Sequence, residues 1–157
     1  MTECSEKGRE ARSLFEQGYN CAQSVLLAYA SECGLSRETA LRLSSPFGGG
    51  MGRLREVCGA VSGMLMAAGL LYGYSDPKDA AAKRETYRLT QELARRFREE
   101  NGSIVCRELL GGQGRDSSPV PSERTETYYK KRPCPELVEC AANILDQYRR
   151  ETSATDR

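Results

Sequence analysis

The chain has 157 residues, with 23 Lys and Arg against 22 Asp and Glu, a net charge of +1. That length is enough for one domain with its own core, and the balanced charge leaves no field for nucleic acid or an anionic membrane. Histidine and tryptophan are both missing, which excludes Ser-His-Asp and Cys-His catalysis, His-ligated zinc and His-ligated haem.

The first residues, MTECSEKGREARSLF, are charged and lack the apolar centre of a signal peptide, so the expected location is the cytoplasm. The chain reads as a single helical domain over 1–157, with 1–7 and 152–157 expected to be disordered. From Glu6 to Cys33 the apolar positions Leu14, Gly18, Cys21, Val25 and Tyr29 recur at helical steps and predict one helix stopped by Gly34. Ser36 is placed to cap a short helix that ends before Pro46. The glycine-rich turn Phe47-Gly48-Gly49-Gly50-Met51-Gly52 follows.

Next comes an uncharged run from Val57 to Tyr74. Its Gly, Ala and Ser content and its isolation argue against a membrane span and for a helix buried all round. Gly59, Gly63 and Ala67 lie at four-residue steps, suited to close packing within the chain or across a homodimer. Asp76-Pro77 is expected to open a long charged helix with an apolar stripe at Leu89, Leu93 and Phe97, ended by Asn101-Gly102. Ser103 is the expected cap of a short helix holding Cys106, Leu109 and Leu110. Residues 111–122 read as a loop, and a last helix runs from Pro133-Cys134-Pro135 to about Arg150. No alternating strand pattern is present. The predicted fold is all-α: an irregular bundle of about five to six helices around a buried Gly/Ala-rich central helix.

The seven cysteines carry what chemistry the composition allows. An odd number cannot pair fully into disulfides within one chain, and in a reducing compartment such thiols are metal ligands, redox groups or buried packing. Cys58, Cys106 and Cys134 fall at or near predicted helix starts, where backbone N–H groups and the helix dipole stabilise a thiolate. Cys21 is expected mid-helix and inward. No Cys-x-x-Cys pair is present, so spacing alone does not choose between redox chemistry, a metal site and inert packing.

Four segments, Gly18-Tyr19-Asn20-Cys21-Ala22, Cys58-Gly59-Ala60-Val61-Ser62-Gly63, Cys106-Arg107-Glu108-Leu109-Leu110-Gly111 and Cys134 opening the last helix, resemble the C_GCAxxG_C_C family, described as redox-active proteins. The resemblance spans roughly Gly8 to Tyr148. It implies that Cys21, Cys58, Cys106 and Cys134 form the working set, and it implies no role for Cys4, Cys33 or Cys140.

Three functions follow as expectations. The first is thiol–disulfide or electron-transfer chemistry with a redox partner yet to be found, in which Cys58 or Cys106 attacks and a second cysteine resolves. Arg55, Arg107 and Lys131 are the nearby basic residues that would favour it. The second is a metal-binding module in which the same four thiolates hold a [2Fe–2S] cluster or zinc. The third is a structural protein with inert thiols. Covalent haem is not expected, since no Cys-x-x-Cys-His exists.

Overall fold

The computed structural model describes residues 2–156, and within them the protein is all-α. In chain order the helices are α1 (Glu6–Glu16), α2 (Cys21–Ala28), α3 (Arg37–Ser44), the single turn α4 (Gly48–Met51), α5 (Gly59–Tyr72), α6 (Ala80–Asn101), α7 (Cys106–Leu110), α8 (Glu126–Lys131) and α9 (Cys134–Thr155). Short 3-10 turns occupy Ser45–Phe47 and Gly111–Arg115. The only extended pairing among the described residues is an isolated antiparallel bridge, Val57 with Val105.

The single helix expected over 6–33 is divided. Gly18 adopts φ +113, a left-handed conformation open to glycine, and breaks the helix between α1 and α2. Asn20 then starts α2 with a reciprocal capping box: its side chain accepts from the Gln23 N–H while the Gln23 side chain accepts from the Asn20 N–H. Cys21 is therefore the first residue of a helix, not a mid-helix position.

Sequence and structure agree on Ser36 as the cap of α3 and on Gly102, at φ +90, as the stop of α6. They differ at the start of α6, where Asp79 rather than Asp76 accepts from Ala82 N–H, and Asp76 instead closes a local turn with Lys78. Ser103 turns the chain by accepting from Val105 N–H, so α7 begins three residues beyond it, at Cys106. Helix α8 lies within a polar stretch with no apolar stripe, and Thr125 caps it.

At the chain ends, where disorder is the expectation, residues 2–156 are described and Met1 and Arg157 lie outside the described residues. Ser5 is buried, caps α1 through Gly8 N–H, and bonds Asn143 Oδ1 of α9 through both its N–H and its hydroxyl. At the other end α9 stays helical through Thr155.

Helix α5 is the centre of the core, packed against α2, α9 and α6. Its small residues let α2 come close. A Cβ at Gly63 would stand 2.6 Å from the Ala22 carbonyl oxygen, and one at Gly59 would stand 2.4 Å from the Cys21 sulfur. The face that the sequence left open to a dimer partner is thus filled by α2 of the same chain. The last turn of α5 is not buried: Leu70 is 47% exposed. Fully buried Tyr29 pins α2 to α9 by donating its hydroxyl to the Ala142 carbonyl at 2.6 Å. Leu89, Leu93 and Phe97 of α6 close the core, as their spacing predicted.

Candidate functional site

Four helix starts meet at one end of the bundle, and each carries a cysteine. Cys21 is the first residue of α2, Cys106 of α7 and Cys134 of α9, while Cys58 is the N-cap of α5. All four line one small cavity of about 80 Å³, with Arg55, Tyr128 and Leu137 in its wall. Cys58 and Cys106 are buried; Cys21 and Cys134 are half-buried. All seven cysteines are free thiols.

The Val57–Val105 bridge sets two of these positions. Cys58 N–H donates to the Ile104 carbonyl at 2.8 Å, and Cys106 N–H donates to the Glu56 carbonyl at 2.6 Å. The two cysteines thus follow a paired rung directly, and the helices α5 and α7 diverge from it. Glycines supply the remaining closeness. A Cβ on Gly50 would lie 2.6 Å from that of Cys106, and Gly59 faces the Cys21 sulfur as above. The CGAxxG motif therefore has two structural reasons: its first glycine makes room for a sulfur, its second for a neighbouring backbone.

Burial governs the thiols. It raises the pKa of Cys21, opposed by backbone N–H groups of Gly49 and Ala22 that point at the sulfur. Burial raises Cys58 well above the ordinary thiol value, and the negative charge that Cys21 would carry adds to this. Cys134 is pushed up to about 12 by burial and by Cys21, although the Tyr128 hydroxyl donates to its sulfur and opposes the rise. These three rest as neutral thiols near pH 7. Cys21 is the neighbour whose charge Cys58 and Cys134 feel most, so it sits at the electrical centre of the group.

Cys106 has a different neighbour. Arg55 is 3% exposed, and its Nη1 donates to the Cys106 sulfur at 3.8 Å while its Nε donates to the Asp116 carbonyl at 2.9 Å. Its backbone is left-handed (φ +62), as are those of Met51 and Arg53, a conformation costing a non-glycine residue about 1–2 kcal/mol each. Backbone bonds from Arg55 N–H to the Gly49 carbonyl and from Glu56 N–H to the Gly50 carbonyl hold this turn. The result is a guanidinium aimed inward at a sulfur.

Of the three basic residues singled out in the sequence, Arg55 alone reaches the cavity. Arg107 pairs outward with Glu56 at 2.8 Å, and Lys131 is exposed at the end of α8. Sequence reasoning missed Arg124, Tyr128 and Arg132, which also line the cavity. Arg132 stands two residues before Cys134, a sequence neighbour of the cysteine, whereas Arg124 enters from a polar loop with no motif to mark it. The three cysteines outside the family set lie elsewhere. Cys4 donates to Glu139, Cys140 to Glu100, and Cys33 to the Ala67 carbonyl.

Among the described residues, no three Cys, Asp or Glu side chains are gathered closely enough to hold a metal ion. As they stand, the four sulfurs surround a cavity without forming a ready single-ion site.

Fold and site together define a helical four-cysteine protein whose thiols share one cavity at converging helix starts. The family profile described as Putative redox-active protein (C_GCAxxG_C_C) matches residues 19–148, and the chain belongs to that family. No curated protein and no solved structure matches the chain. No helix among the described residues is long and apolar enough to cross a membrane.

Proposed function

We propose that the cavity is a redox centre working by thiol–disulfide exchange, with Cys106 as the attacking sulfur and Cys21 as the resolving one. The observation that carries this is the Arg55 guanidinium against Cys106: it supplies the counter-charge that a nucleophilic thiolate needs, whereas Cys58 is buried without one. Cys106 thiolate attacks one sulfur of a substrate disulfide, the S–S bond breaks, and one thiolate leaves. Cys21 then loses its proton and attacks the Cys106 sulfur, releasing the second substrate thiolate. The substrate disulfide gains two electrons and the protein gains a Cys21–Cys106 disulfide. Such a dithiol operates in a reducing compartment, in keeping with a cytoplasmic location.

The test is disulfide mapping by mass spectrometry after mild oxidation of the full chain. A Cys21–Cys106 bond that is lost in Cys106→Ser supports the assignment; an unchanged pattern in that variant overturns it.

A second reading is favoured by the shared cavity itself: the four thiolates as ligands of a [2Fe–2S] cluster, with helix-start N–H groups near the sulfurs. The sulfurs do not fit a single zinc ion as they stand. Anaerobic purification with metal analysis separates the readings, because stoichiometric iron lost on replacing two of the four cysteines would displace the dithiol mechanism.

A further inference from the structure

The cysteine cavity does not end at the sulfurs. It adjoins a wider cleft of about 780 Å³ through shared walls of Asn20, Gly49, Arg55, Arg124, Tyr128 and Arg132. That volume is within the range of small-molecule sites. Arg53, Arg55, Arg124 and Arg132 all line it. The carboxylate in its wall, Glu16, is engaged with Arg12 at 3.2 Å, and Arg53 is paired with Asp116, outside the wall, at 3.2 Å. Arg124 donates to the Phe15 and Tyr19 carbonyls and lies over the Phe15 ring, which fixes its position. Arg132 stacks on Tyr128, and its guanidinium otherwise donates, among the described residues, to Ser122 at 3.4 Å.

Arg55 supplies the observation that points to a ligand. Its Nη2 is buried and has no hydrogen-bond partner among the described residues, while Nε and Nη1 are both occupied. A buried guanidinium N–H left unpaired is costly, and native proteins almost always satisfy such groups. Asp116 cannot serve it through its carboxylate, which is turned to Arg53 and to the Ser118 N–H. No acceptor among the described residues serves it, which leaves the position open to a ligand in the cleft.

We infer that the cleft binds a small carboxylate-bearing disulfide, with a carboxylate seated on Arg55 and Arg132 and its S–S bond presented to Cys106. The inference rests on the dithiol reading for the reacting bond, and on the arginines for the charge. Guanidinium groups match carboxylates in a planar, two-pronged geometry. Because Arg55 touches both the sulfur and the cleft, an anion on its free edge is held next to the nucleophile. The chemistry is the exchange described above, in which two carboxylate-bearing thiols leave.

Binding is tested apart from exchange by calorimetric titration of the Cys106→Ser chain with S-methylglutathione, a carboxylate thioether that cannot exchange. The expected result is saturable binding, weakened at least tenfold in Arg132→Gln and in Arg55→Met on that background and weakened again by added salt. Arg132 is partly exposed, so its replacement keeps the test valid if the Arg55 variant fails to fold. No saturable binding, or binding indifferent to both arginines, overturns the inference and leaves the disulfide-mapping result standing. For the cysteine-intact chain, glutathione disulfide is expected to oxidise the protein at least tenfold faster than Arg132→Gln; equal rates overturn the inference as well.

Discussion

Two cysteines, Cys106 and Cys140, occupy opposite electrical settings in this molecule. Around the cavity, Cys106 faces Arg55, with Arg124 and Arg132 in the same wall. At the seam of α6 and α9, Cys140 faces Glu100. The thiol is the same; the neighbour differs in sign. A carboxylate repels the thiolate that a guanidinium favours, and burial with Glu100 pushes Cys140 up to about 12. The family cysteines also sit at helix starts, whereas Cys140 lies within α9. Cysteine number therefore says little about reactivity here, and the backbone and charge around each sulfur say most.

The largest effect expected from disturbing this contrast is structural. The cavity wall has no slack at Gly59, so Gly59→Ala should lower stability by about 2–3 kcal/mol in urea melts, against less than about 1 kcal/mol for Cys140→Ser at the looser seam. Equal costs would mean that α2 and α5 can part without penalty.

Next in size is thiol reactivity. Arg55→Met should slow iodoacetamide labelling of Cys106 about tenfold at pH 7, read by mass spectrometry, and leave Cys140 unaffected. The converse, Glu100→Gln, should speed labelling of Cys140 two- to threefold and leave the cavity alone, the smaller change because Asn101 already bonds that sulfur. If both variants change both cysteines, the two settings are not independent.

The pH dependence of stability gives a further test. A thiol whose folded pKa lies above its unfolded value binds its proton longer in the native state. Its contribution is complete below the unfolded value of 9.0 and is lost as pH rises toward the folded value of about 12. Stability should therefore fall between pH 9 and 12, each such thiol adding at most about 1.4 kcal/mol per pH unit. Cys134→Ser should flatten the slope measured by denaturant titration at several pH values, and an unchanged slope would mean that Cys134 is not desolvated.

Much of this arrangement was legible in the residues. Leu89, Leu93 and Phe97 announced the buried face of α6 through their spacing, and the CGAxxG segment announced close helix packing. The break at Gly18 was hidden because the apolar period runs through it unbroken; what decides it is a left-handed φ and the pairing of Asn20 with Gln23, neither of which alters the period. As a result Cys21 was placed mid-helix, and the convergence of four helix starts could not be seen. Arg55 was noticed as a neighbour in sequence, but its inward aim depends on a strained turn that glycines 49 and 50 anchor. Arg124 arrives from a loop with no periodicity at all, and only the folded chain brings it to the cavity.

One feature of the backbone reaches beyond the site. The Val57–Val105 bridge clamps the two ends of the α5–α6 hairpin beside each other, so the chain between them leaves the cavity and returns to the same rung. Its far turn, residues 75–79, is exposed. Lengthening that turn adds only slowly growing closure entropy and does not move the clamp. The hairpin is thus a place where the protein can take on new sequence, a tag or a whole inserted domain, while Cys58 and Cys106 keep their positions.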